Sequence, residues 1–287
     1  MAGKPLPVLI NERIDSGRLP LAVHPDVARK IASSPRPERP EAAALGELAS
    51  HDPVLAGSLF RAANSAFYQG LPKVVTIAEA ITRIGTVSAL RELDCVCSDG
   101  AAGFRGQLLP VYLPPWWRHS LGCALGARWL ANRCGYQALA DQAHLAGLLH
   151  DIGKLFLFTA LESIVDSGEA GITLGNQLIE EVLESMHVEI GVKMAAAWNL
   201  PGSYVAVIGR HHEPELDSQE VVIALVRLAN QVAHKLGLGG KSAPDLILPT
   251  TAEAQFLGID EIALAECEIM LEDRFGLAAT VSCSGSP

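Results

Sequence analysis

What most constrains this chain is a local pattern that recurs along it: a capping residue, a run with apolar residues three or four apart, then a glycine or proline. "DPVLAGSLFRAANSAF" sets Asp52 as N-cap and Pro53 at the first helical position, with Leu55, Leu59 and Ala62–Ala63 on one face. "TIAEAITRIGTVSALREL" has Thr76 as cap and Glu79 three residues later, the spacing of a capping box, with Gly85 as punctuation. "PEAAALGELASHD" opens with Pro40 and an early Glu41, and a helix over 21–33 is ended by the proline-rich loop "SSPRPERP". Longer helical runs follow: "WWRHSLGCALGARWLANRCG", "LADQAHLAGLLHDIGKLFLF", "GNQLIEEVLESMHVEIGVKMAAAWN", "GSYVAVIGRHHEP", "SQEVVIALVRLANQVAHKLG" and "DEIALAECEIMLEDRFG". Several stop at glycines, as helix C-termini often do. Nowhere do β-branched residues alternate beside hairpin signals, so the expected fold is all-α. A 49% hydrophobic content with only 5% aromatics fits helices packed through aliphatic side chains.

The punctuation also predicts an organisation. Residues 1–17, with Pro5, Pro7 and Gly17, read as a lead-in, and 18–105 as a first helical subdomain. The Gly- and Pro-rich "DGAAGFRGQLLPVYLPP" (99–115) marks the boundary to a second, 106–240, and 241–287 supplies a C-terminal helix and a frayed tail, "SCSGSP".

Charge narrows the partners. A formal net charge of −10 and a pI near 5.4, with no cluster of Lys and Arg, lower the prior for nucleic acid. The helix-turn-helix-like spacing around "GLPKVVTIAEA" does not outweigh that. A basic pocket for one small phosphate or nucleotide ligand stays compatible. "MAGKPLPVLINERIDSG" lacks the apolar core of a signal peptide, and runs such as "LFLFTAL" fall far short of a membrane span. The expectation is a cytoplasmic protein that does not enter a membrane. The six cysteines (Cys95, Cys97, Cys123, Cys134, Cys267 and Cys283) show neither disulfide-scaffold density nor zinc-finger spacing, and are read as reduced thiols.

The histidines carry the chemistry. In "LAGLLHDIGKLFL" the pair His150–Asp151 sits inside an apolar run, where a charge is costly unless paired or bound to a metal. The dipeptide alone means little: nine His and 12 Asp predict about 0.4 His-Asp pairs by chance, and two occur. The other, His51–Asp52, is a helix start. Further imidazoles lie near apolar helix faces: His119 in "WWRHSLG", His187 in "ESMHVEIG" and the doublet His211–His212 in "IGRHHEP". Imidazole and carboxylate suit divalent iron, manganese, nickel or zinc, and converging helices can bring such residues together. His144 reads as a hydrogen-bonded core residue; His24, His51 and His234 read as isolated or exposed.

Together these segments resemble the HDOD domain family, relatives of the HD metal-dependent phosphohydrolases and the HD-GYP cyclic-dinucleotide phosphodiesterases. "HDPVLAGSLFRAANSAFY" and "TIAEAITRIG" are similar to the N-terminal signature, and "LLHDIGKL", "HVEIGVKMAAAWNLP" and "RHHEP" follow in order, over about 19–236. The resemblance implies a helical bundle in two packed subdomains, the second HD-like. It implies a metal site of His119, His150, Asp151, His187, His211 and His212, taking a divalent ion (Fe, Mn, Ni, Zn or Mg) or none. Lys154 matches a phosphate-contacting lysine, so Lys154 and Asp151 would be the catalytic residues of an active relative. Two positions depart: Asn230 stands where relatives carry a metal-binding aspartate, and Pro115 where HD-GYP enzymes carry a glutamate. The "GYP" turn is replaced by "EPELDSQE". With two anionic ligands missing, the implied function is a non-catalytic signal-transduction module acting on a protein partner. The alternative is a metal-dependent phosphohydrolase acting on a nucleotide or cyclic dinucleotide.

Overall fold

The structure is a computed structural model that describes residues 4–17, 19–33, 41–103, 106–168, 174–217, 219–240 and 242–277. Among them there are helices and no strands. Caps are where the sequence puts them. Asp52 Oδ1 accepts from the Val54 and Leu55 amides to start α4 (Pro53–Ala63). Thr76 and Glu79 form a reciprocal capping box on α5 (Ile77–Ile84), and Gly85, at φ +83°, turns the chain out of it. These helices pack with α2 (Pro25–Ser33), α3 (Ala42–Ala49) and α6 (Thr86–Gly103) around Leu55, Leu59, Phe60, Ile81 and Leu93, all 0% exposed. The segment 21–24 is not helical: Ala22 and Val23 are buried there, and the His24 amide donates to Asp52 Oδ2.

The segment read as a lead-in carries α1 (Leu6–Asp15), whose Leu9, Ile10 and Ile14 are buried and which packs on α9 (Ile152–Ser167). Pro5 and Pro7 do not prevent this, because proline is tolerated in a first turn whose N–H groups lack helical partners anyway. The expected break over 99–115 is also narrower. The helix α6 runs to Gly103, and α7 (Leu109–Arg133) takes in Pro110, Pro114 and Pro115. The carbonyls that Pro114 and Pro115 leave unpaired belong to Pro110 and Val111, both exposed, where water can serve. Buried Glu162 on α9 accepts from the amides of Gln107, Leu108 and Leu109 at 2.7–2.9 Å, which satisfies and anchors that helix start.

Around α7 pack α8 (Ala140–Leu149) and α12 (Val221–Lys235), while α10 (Asn176–Ala197) lies against α9 and α11 (Gly202–Arg210). Among the described residues the C-terminal part holds two α-helices where one was expected: α13 (Ala252–Leu257) on α12 and α14 (Glu261–Phe275) on α7. The tail from 278 on lies outside the described residues. The fold is thus an all-α bundle, its second part HD-like, and one apolar core runs through both parts. The Trp198 ring packs against Gly57, the Tyr204 hydroxyl donates to the Val75 carbonyl, and Lys73 donates to the Leu200 carbonyl, tying the parts together. No described helix is long and apolar enough to cross a membrane.

Candidate metal centre

The apolar run around the His-Asp pair is not one helix. It divides into α8 and α9, and His150 and Asp151 occupy the junction. Glycines on either side let the backbones close in. A Cβ on Gly147 would stand 2.6 Å from the Cys123 carbonyl oxygen, and one on Gly153 would stand 1.9 Å from that of His187. Only glycine lets α8 lie this near α7, or α9 this near α10. Those contacts bring His119 from α7 and His187 from α10 to the junction, and His211–His212 arrive from the end of α11.

All six residues converge. Asp151, 2% exposed, is the hub: its Oδ2 lies 3.7 Å from His119 Nε2 and 3.5 Å from His150 Nε2. Its Oδ1 lies 3.6 Å from His187 Nε2 and 3.5 Å from His211 Nε2. Lys154 Nζ, one turn on, donates to Asp151 Oδ2 at 2.5 Å. His212 is exposed and sits at the rim, its Nε2 3.0 Å from His187 Nε2.

The backbone decides where the imidazole protons are. The Nδ1 atoms of His119, His150, His187 and His211 face the carbonyl oxygens of Leu238, Gly147, Leu183 and Ile208 at 2.6–3.1 Å. A carbonyl only accepts, so each Nδ1 carries the hydrogen, and a neutral ring held this way turns a bare Nε2 inward. The same logic makes His212 the donor to His187. The Nε2 atoms of His119, His150 and His211, and that of His187 which also accepts from His212, therefore face one carboxylate at 3.5–3.7 Å. Asp151 Oδ1 and His211 Nε2 are buried without a hydrogen-bond partner. Acceptors aimed at acceptors are unfavourable unless a cation lies between them, and backbone-tied imidazoles are the usual outer support of metal ligands. The donor set fits a divalent ion.

Electrostatics agree. Burial pushes the pKa of His119 down to about 4 and that of His150 well below the usual imidazole value, despite the opposing pull of Asp151, so both rings are neutral. His187 is lowered likewise, and His212 to about 4, by burial and then by neighbouring histidines. Burial alone would raise the Asp151 carboxyl; the Lys154 ammonium beside it outweighs this and holds the group well below the usual carboxylate range. The centre thus combines the neutral rings of His119, His150, His187 and His212 with one ionised carboxylate.

Three residues here escaped the sequence reading. Cys123, 0% exposed and one turn past His119, places Sγ 3.6 Å from His119 Nε2, and forms with His119 and His150 a second group of metal-ligand type. The H-x-x-x-C spacing on one helix was its signal. His234 is not isolated: its ring centroid is 4.9 Å from that of His119. His24 packs edge-on against Trp117 at 4.9 Å. The remaining assignments hold different places. Asn230 approaches the centre beside Cys123, with Oδ1 4.0 Å from Sγ. Pro115 brings no ligand; its carbonyl oxygen and the His119 side chain lie against Gly239. His144 donates Nε2–H to the Ser50 carbonyl at 2.9 Å, a core hydrogen bond. The cysteines of the described residues are free thiols.

An all-helical chain with a histidine cluster gathered on one aspartate defines the class, and comparison with known proteins gives the family. The HDOD domain pattern matches residues 21–214, and the chain belongs to the HDOD family. Among solved structures it is similar to the MmoQ response regulator of Methylococcus capsulatus (22% identity, TM-score 0.68, covering 86% of this chain and 97% of that one). It is also similar to a virulence factor of Campylobacter jejuni (14% identity, TM-score 0.63, 93% and 96% covered). At these identities the likeness concerns the fold. An uncharacterized protein of Treponema pallidum is 28% identical over 195 residues, 66% of this chain and 37% of that protein. Ribonuclease Y of Aster yellows witches'-broom phytoplasma is 29% identical over 116 residues, 40% of this chain and 17% of that protein. The matches thus span well under half the length of these curated relatives.

Proposed function

We propose that this chain is an HDOD signalling module whose HD-type centre holds a divalent cation as part of its structure and does not turn over a phosphoester. The observation that carries this reading is the charge inventory of the centre. Among the described residues Asp151 is the single carboxylate grouped with these imidazoles, Asn230 is neutral, and the Lys154 ammonium is already committed to Asp151. One negative charge against a lysine and a divalent ion leaves little to hold a second ion, which two-metal hydrolysis needs. Burial points the same way: His119, His150, Asp151, His187 and His211 are 1–5% exposed. A bound ion would supply Lewis acidity and countercharge. The chain's own residues orient it, with backbone carbonyls fixing four rings and Asp151 standing between them.

The likeness to a response regulator is in keeping with a partner that is a protein. Its contact surface would include Phe67 and Leu71 in the turn after α4, large apolar side chains 86% and 58% exposed. A second reading, metal-dependent hydrolysis of a nucleotide phosphoester, draws on one observation: Lys154, 26% exposed, and the exposed His212 border the centre, where a phosphoryl group could enter. In that reading Asp151 and Lys154 are catalytic, Lys154 neutralising phosphoryl oxygens.

The test joins metal content, by elemental analysis of protein purified without chelators, to a phosphatase and phosphodiesterase screen with Mn(II) or Fe(II). The expected result is bound metal that His150→Ala loses, with no turnover. Turnover abolished by His150→Ala would overturn the non-catalytic reading, and metal-free wild-type protein would overturn the metal centre itself.

A further inference from the structure

We propose that Cys123 is a metal ligand, forming with His119, His150 and Asp151 Oδ2 a tetrahedral subsite for a thiophilic divalent cation such as zinc. This rests on the reading of the centre as metal-holding, and adds to it a sulfur ligand and a metal preference. Cys123, His119 and His150 each offer a ligand atom, these atoms all lie within 4.8 Å of one another, and all three side chains are buried.

Three of the six spacings among these four ligand atoms match a tetrahedron's edges. With metal–nitrogen bonds of about 2.0–2.1 Å and a metal–sulfur bond of about 2.3 Å, a tetrahedral nitrogen–sulfur edge is about 3.6 Å and a nitrogen–oxygen edge about 3.4 Å. Cys123 Sγ lies 3.6 Å from His119 Nε2, and Asp151 Oδ2 lies 3.7 Å from His119 Nε2 and 3.5 Å from His150 Nε2. Octahedral edges, about 3.0 Å for bonds near 2.1 Å, are shorter than all three.

His187 and His211 lie against Asp151 Oδ1 and group with His212, apart from the Cys123 set. Charge completes the case. The thiol proton passes to solvent as the sulfur–metal bond forms, and the thiolate becomes the second anion of a centre that otherwise has one. Asn230, the neighbouring polar group, cannot provide it. A sulfur and two imidazoles select zinc over magnesium or manganese, which prefer oxygen.

The probe is Co(II), added anaerobically to chelator-treated, full-length protein and followed by electronic absorption. The wild type should develop a near-ultraviolet thiolate-to-cobalt charge-transfer band with the intense visible bands of tetrahedral cobalt. Cys123→Ser should lose the charge-transfer band, keep its circular dichroism, and bind zinc at least about tenfold more weakly, the loss that even an outer partner of a ligand can cause. Cys267→Ser, buried on α14, should keep the band. X-ray absorption of zinc-loaded wild type, which needs no variant, should show one sulfur at about 2.3 Å. Cobalt bound without the band, or a band that survives Cys123→Ser, overturns the ligand role of Cys123 and leaves the metal centre standing. Failure of the wild type to bind either cobalt or zinc overturns both.

Discussion

Replacing Gly153 with alanine asks whether α9 must touch α10 to deliver His187 to the centre. Gly153 lies two residues after Asp151, and a Cβ there would stand 1.9 Å from the His187 carbonyl oxygen and 2.8 Å from both the His187 carbonyl carbon and the Gly191 nitrogen. Real Cβ atoms essentially never come closer than 3.0 Å, so the helices must part by at least about 1.1 Å. The facing atoms are backbone, and no rotamer change can relieve the clash. Overpacking of this kind costs about 1–3 kcal/mol, and rigid neighbours place this case near the upper end. Added to the present 3.6 Å, the same retreat would leave His187 Nε2 about 4.7 Å from Asp151 Oδ1, too far to share an ion with it. Urea unfolding of the metal-free protein should show a loss of about 3 kcal/mol. The imidazole NMR shifts of His187 in the metal-free protein should move from their wild-type values. Wild-type values in both measurements would refute the idea that this helix contact positions His187.

Other expectations follow from the same geometry. Asp151→Asn keeps the shape but removes the single carboxylate, so bound metal should fall to near zero by elemental analysis while circular dichroism is unchanged; retained metal would contradict the hub role. Glu162→Gln turns one acceptor of the α7 amides into a donor facing an N–H. It should cost about 2–3 kcal/mol in urea unfolding, and an unchanged midpoint would show that the cap contributes little. Metal-free protein should lose stability as pH falls from 6.5 toward 4. The His144 pKa is held down at about 4 by burial, then by Arg128, so the unfolded chain takes up its proton first. Its contribution, about 3 kcal/mol, is complete above pH 6.5 and disappears on acidification. Asp52, pushed up to about 6 by burial, works in the opposite sense over the same span, so the His144 part is read as the difference in pH slope between wild type and His144→Gln. Equal slopes would rule it out.

Local chemistry decided what could be read from neighbours in the chain. Asp52 before Pro53, and Thr76 three residues before Glu79, announced their helices because a cap needs only residues a turn apart. Where distant contacts ruled, the string of residues misled or stayed silent. The helix at Leu6–Asp15 forms because α9 covers its apolar face, and α7 carries two internal prolines because the carbonyls they orphan face water. The histidines of the centre were legible as residue types, and through their family order as a set. Their common aim at Asp151 was not, since it depends on four backbone carbonyls holding four Nδ1 atoms and on glycines letting α7, α8, α9 and α10 close up. Cys123 shows the boundary between the two. Its place one turn from His119 was written in the sequence, but whether that turn faced a solvent groove, an apolar core or a ring of lone pairs was settled by how the helices packed, because direction in space is a property of the assembled bundle and not of any one segment.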